Sequence, residues 1–154
     1  SCTSVKMCWV TGHDATILHS SDSGLNWVKQ YEDYDFDAPL LSIHMYDDKE
    51  GIAIGAFALS LRTSNGGESW DYLFLDDDDY QPHLNYVYGD NQAWRKSAKD
   101  EGYAVGEIGK YYISDERGLN WLVVDTGYIG SYWSGVKVDE GQSLLCGMSG
   151  NITL

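Results

Sequence analysis

The chain has 154 residues, 43% of them apolar and 22% charged, which fits one folded domain and excludes a disordered tail. Ten Lys and Arg stand against 24 Asp and Glu, and the resulting net charge of −14 repels phosphate backbones and anionic lipid. Nucleic acid is therefore not an expected partner, and with no apolar run near the roughly 20 residues a bilayer demands, membrane insertion is not expected either.

Six Trp, twelve Tyr and three Phe, with 17 Gly and only two Pro, favour many short strands joined by glycine turns. The first segment, SCTSVKMC, sets Cys2 and Cys8 on a strand, a turn and a neighbouring strand, where facing positions can meet disulfide geometry. A bridge there implies an oxidising compartment; the alternative is two unpaired buried thiols. Next comes CWVTGHDATILHSSDSGLNW, Cys8 to Trp27: a short apolar strand closed by Gly12, an alternating strand, and a tight turn that ends in Trp27. Ser20 and Asp22 can hold the backbone N–H groups of that turn. Gly24 supplies the positive φ, and Trp27 is expected to pack beneath the hairpin.

The same pattern returns twice. GIAIGAFALSLRTSNGGESW runs from Gly51 to Trp70 and GYAVGEIGKYYISDERGLNW from Gly102 to Trp121. In these copies Asn65, Gly67 and Trp70, then Ser114, Glu116, Gly118 and Trp121, fill the turn positions. Asn preserves the turn chemistry, whereas Glu is one methylene too long, so the third turn is expected to depart. A partial fourth copy begins with SLLCGMSGNITL. Repeats of 40 to 50 residues, each read as four short antiparallel strands, predict blades of a β-propeller with little helix. The units fall at about 1–31, 40–75, 84–125 and, in part, 132–154, one segment expected to belong to a larger propeller.

These turns resemble the Asp-box (BNR) repeat, S-x-D-x-G-x-x-W, of sialidase-like propellers. The longer pattern, "YAVG" followed by "SSDSGLNW", is more similar to the propellers of photosystem II assembly and stability factors. The resemblance covers nearly the whole chain and implies an all-β propeller segment of four-stranded antiparallel blades with Asp-box hairpins. For the photosystem factors it implies a lumenal chaperone gripping a hydrophobic partner. For sialidases it implies an arginine cluster, but only Arg62, Arg95 and Arg117 are present, and two of these adjoin Asp-box turns.

Candidate chemistry is sparse. Asp33, Asp35 and Asp37 share a side if extended and could ligate calcium, although a solvated loop is the default for them and for Asp76 to Asp79. No other metal or cofactor is expected. The four His show no zinc or protease spacing, and nothing organises a Ser-His-Asp triad. Cys146 is expected to point inward. An insertion in the third unit carries Trp94 and Arg95, and the last connection carries Tyr128, Tyr132 and Trp133. Aromatic and Arg side chains on loops of a rigid scaffold fit a partner-binding surface; equally, the rings could cover blade ends. Asn151-Ile152-Thr153 is a glycosylation sequon.

The leading functional expectation is a non-catalytic extracellular or lumenal scaffold. It would bind a protein or carbohydrate through blade-edge loops, or join further copies of itself in a surface filament. The alternative is a glycoside hydrolase of Asp-box type with its catalytic carboxylates partly outside this segment.

Overall fold

A computed structural model of the chain describes residues 1–75, 80–89, 101–139 and 141–154. Among the described residues fourteen strands form four antiparallel sheets, and the helical content is two short 3-10 turns. The first sheet orders β1 (Cys8–Thr11), β2 (Ile17–Ser20) and β3 (Val28–Tyr31). The second holds β4 (Leu40–Met45), β5 (Gly51–Gly55), β6 (Ser60–Thr63) and β7 (Asp71–Tyr72). The third runs β8 (Leu84–Gly89), β9 (Gly102–Gly106), β10 (Lys110–Asp115) and β11 (Asn120–Asp125). The fourth holds β12 (Tyr132–Asp139), β13 (Gln142–Gly147) and β14 (Ile152–Thr153). Each sheet is a meander with its strands in chain order, as a propeller blade requires.

The core lies between blades. One cluster joins Trp9 and Ile17 of the first blade to Leu40, Leu61 and Trp70 of the second. Another joins Ile52 and Ile54 to Val87 and Tyr112, and a third joins Tyr103 and Tyr111 to Tyr132 and Leu145. The strands β5 and β9 read as unbroken apolar runs because both of their faces are buried in this way.

In the second and third blades the recurring glycine at the end of the second strand has a steric cause. A Cβ on Gly55 would lie 2.1 Å from the Pro39 carbonyl oxygen, and one on Gly106 would lie 2.4 Å from that of His83. In both places the incoming connector runs against bare backbone, so only glycine fits.

Antiparallel meanders place their turns alternately at two ends. At one end stand the Asp-box hairpins and the turns joining the first two strands of a blade. At the other stand the turns joining the middle strands and the connectors between blades. We call these the Asp-box end and the connector end.

Candidate functional site

At the Asp-box end the first hairpin is a closed hydrogen-bond set. The Ser20 hydroxyl accepts from the Gly24 N–H at 2.9 Å and donates to Asp22 at 2.8 Å. Asp22 in turn accepts from the backbone and side-chain N–H groups of Asn26 at 2.9 and 2.7 Å. Those bonds, the Asn26 side chain first, hold its carboxyl down at about 2. The second hairpin repeats this with Thr63 and Asn65: Thr63 accepts from Gly67 N–H at 2.9 Å, and Asn65 from Ser69 N–H at 3.0 Å. The third does not. There the chain pairs Asp115 with Asn120, and the acceptor facing the Asn120 amide at 3.1 Å is Asp115, not Glu116. Glu116 instead takes a left-handed backbone in a tighter loop, while Ser114 accepts from the Gly102 N–H at 3.1 Å.

The three tryptophans also diverge. Two of the indoles face the preceding blade: Trp70 is buried against the first blade, and Trp121 packs on Ile52 and its neighbours in the second. Trp27 is 39% exposed rather than buried beneath its turn, and its indole N–H donates to Gly24 O at 3.0 Å.

Arg62 and Arg117 belong to the same end and are clamps. Arg117 reaches from the third hairpin to Asp47 and to Glu50 at 2.6 Å, and Arg62 holds Glu50 at 3.0 Å. Thr3 donates to Asp48, and Gln30 donates to Gly66 O at 2.8 Å, so adjacent blades are tied here by polar contacts. A disulfide joins Cys2 to Cys8 across the base of the first turn.

Several expected sites move. Tyr132 is fully buried in the cluster between the third and fourth blades, with its hydroxyl between Thr126 and Thr153 at 3.1 and 2.9 Å, so it cannot touch a partner. Trp133 is exposed, on the outer face of the last sheet with Val136 and Val138. Cys146 shares that uncovered face, in register with Ser134 and Ile152, and is exposed rather than core. Asp33 does not align with Asp35 and Asp37 on one side. It caps a turn by accepting from the N–H groups of Asp35 and Phe36, and Asp37 is left-handed. Among the described residues no three metal-ligating side chains converge. Asn151 closes the last turn, its side-chain oxygen accepting from Thr153 at 3.1 Å. Trp94, Arg95 and Asp76 to Asp79 lie outside the described residues.

The inner strands β4, β8 and β12 line a trough of about 790 Å³. Within it Ser42 accepts from the Val87 N–H at 3.1 Å, and the buried His44 sits where a side chain on Gly89 would collide with it. Burial lowers the His44 pKa to about 4, so the imidazole is neutral at physiological pH. Lys137 lies over the Tyr103 ring at 4.7 Å. No Asp or Glu is among the described lining residues, so they do not supply the carboxylate pair of a glycosidase.

Sequence reasoning missed the connector end. The turns between middle strands hold two consecutive left-handed residues in every blade: Asp14–Ala15, Phe57–Ala58, Ile108–Gly109 and Ser149–Gly150. Aligning the repeats at this turn would have shown Phe57 and Ile108 where the other copies carry Asp and Ser.

Blades with these hairpins, stacked through interleaved cores around their first strands, define a BNR-repeat β-propeller protein. The match is specific: the model of the photosynthesis system II assembly factor YCF48 family covers residues 1–152, and the chain belongs to that family. The photosystem II stability/assembly factor HCF136, chloroplastic, of Arabidopsis thaliana is 28% identical over 117 residues, 73% of this chain and 27% of that protein. The photosystem II assembly lipoprotein Ycf48 of Synechococcus sp. (strain CC9902) is 25% identical over 111 residues, 71% of this chain and 30% of its own length. The chain thus spans about a quarter to a third of these curated relatives. Among solved structures, YCF48 bound to D1 peptide superposes with a TM-score of 0.71 at 20% identity, over 96% of this chain and 46% of that one. YCF48 from Cyanidioschyzon merolae gives 0.57 at 20% identity, over 73% of this chain and 35% of that one.

Proposed function

We propose that the protein is a non-catalytic assembly factor for photosystem II, whose propeller grips a segment of a photosystem polypeptide. The observation that carries this reading is the family match across residues 1–152. It is supported by relatives named as photosystem II assembly and stability factors, and by a propeller of the same fold in complex with a D1 peptide. The Cys2–Cys8 disulfide supports an oxidising, lumenal compartment rather than a reducing one. An extracellular location, a carbohydrate ligand, self-assembly into filaments and glycoside hydrolysis draw no support from the relatives named above.

The test is fluorescence anisotropy of a labelled peptide covering the D1 segment held by the solved relative, titrated with the full protein. Saturable binding that unlabelled peptide competes away is expected. Absence of binding at every protein concentration tested overturns the reading.

A further inference from the structure

The connector end carries an apolar strip that the fold does not need. Phe57, Ile108, Ile129 and Met148 are between 44% and 89% exposed there. Ring and hydrogen-bond contacts link the segments that carry them. The Phe57 ring packs on the His83 imidazole at 4.9 Å, and His83 O accepts from the Glu107 N–H at 3.0 Å, one residue before Ile108. Gly109 N–H then donates to Gly130 O at 2.7 Å, beside Ile129, and the Tyr128 hydroxyl donates to Met148 O at 3.2 Å.

Phe57 and Ile108 both hold φ at 54°, in a left-handed conformation that is poor for a bulky side chain and worse for a β-branched one. The equivalent turns of the first and fourth blades solve the same geometry with Asp14 and Ser149. Two adjacent blades therefore combine an unfavourable backbone with an exposed apolar side chain, a combination that costs folding free energy twice. Strain of this kind, held in place by surrounding bonds, marks functional surfaces. The bonds are present: Ala58 N–H donates to Pro82 O at 2.9 Å, and Met148 N–H to Ser131 O at 3.0 Å, so the strip is pre-organised.

Charge selects the occupant. Among the described residues, the connectors and middle turns of this end carry Asp14, Asp33, Asp35 and Glu107, with Lys110 closing the third middle turn, while Arg62 and Arg117 are held at the other end. We propose that the connector end docks a protein segment whose apolar side chains are flanked by Lys or Arg, with the apolar strip supplying contact and the carboxylates supplying selection. This inference rests on the protein-binding reading above and names the chemistry of the partner.

The test titrates the full protein with a synthetic peptide having a Leu–Phe core and lysines at both ends, against the same core flanked by glutamates. The lysine peptide is expected to bind at least about tenfold more tightly, with affinity falling as salt is raised. Phe57→Asn and Ile108→Asn, which suit a left-handed turn, are expected to weaken it by about tenfold each with melting temperatures at or above the parent. Equal binding of both peptides, unchanged binding by the variants, or a fall in melting temperature on Ile108→Asn overturns the proposal. So does binding to zwitterionic vesicles in place of the peptide. Running the D1 peptide in parallel separates the two readings: D1 binding without lysine-peptide binding sinks this surface alone, and the reverse sinks the D1 assignment alone.

Discussion

The two ends of the blades satisfy the same backbone in different ways. At the Asp-box end, side chains do the work: Ser20 and Asp22, or Thr63 and Asn65, absorb the turn's N–H groups, and arginine clamps tie one blade to the next. At the connector end, backbone bonds to backbone, with Ala15 N–H to Ala38 O at 2.9 Å and Ala56 N–H to Pro39 O at 3.0 Å, and the side chains at the turn tips are released. Released side chains are free to be selected for a partner. Where they are polar, the turn is merely comfortable; where they are Phe57 and Ile108, the fold tolerates strain and exposure together.

The comparison can be broken most severely at the glycines that let backbone meet backbone. Gly55→Ala should cost roughly 3 kcal/mol or more in urea unfolding, because its methyl would collide with a connector that cannot yield. A cost under about 1 kcal/mol would show that the connector gives way. Comparable in size, Trp70→Ala should cost roughly 3–5 kcal/mol, whereas Trp27→Ala, at a half-exposed indole, should cost about 1–2 kcal/mol. Equal losses would contradict the blade-facing account of these indoles.

Smaller still, Ser20→Ala should cost about 1–3 kcal/mol, since it strips a buried acceptor from the Gly24 N–H. The same turn sharpens the comparison through acid. Asp22 is depressed in the fold, so its contribution is present above the unfolded value near 3.8 and is lost as pH falls through about 2. Carboxyl NMR should give a midpoint near 2 for Asp22, and Asp22→Asn should make this turn as indifferent to acid as that of Asn65. A midpoint near 4 would mean the turn is open in solution. The smallest effect has the opposite sign: Ile108→Asn should raise stability by about 1 kcal/mol through relief of the left-handed strain.

Much of the fold was legible because the repeat is dictated by local chemistry. The Gly-x-x-Trp spacing fixes a hairpin, and apolar runs such as GIAIG fix a strand buried on both sides. Legibility failed where a side chain's fate depends on the neighbouring blade. Trp27 and Trp70 occupy the same repeat position, yet one is half-exposed and the other buried, and no local pattern distinguishes them. Tyr132 read as a loop aromatic because its burial is created by Tyr111 and Leu145 on separate strands. The third hairpin failed for a finer reason: Asp115, one place before Glu116, was within reach of Asn120 once the loop tightened. The connector end was missed because its signal is a contrast between repeats, with Phe57 and Ile108 set against Asp14 and Ser149, rather than a motif.

The central claim is that one end of the propeller holds blades together and the other meets the partner. Amide hydrogen exchange on the full protein, with and without saturating lysine-flanked peptide, tests it most directly. The account predicts slowed exchange in the turns around Phe57 and Ile108 and in the connector from Thr126 to Ser131, with the Asp-box hairpins unchanged. Protection confined to the Asp-box hairpins or to the trough between β4, β8 and β12 would contradict it.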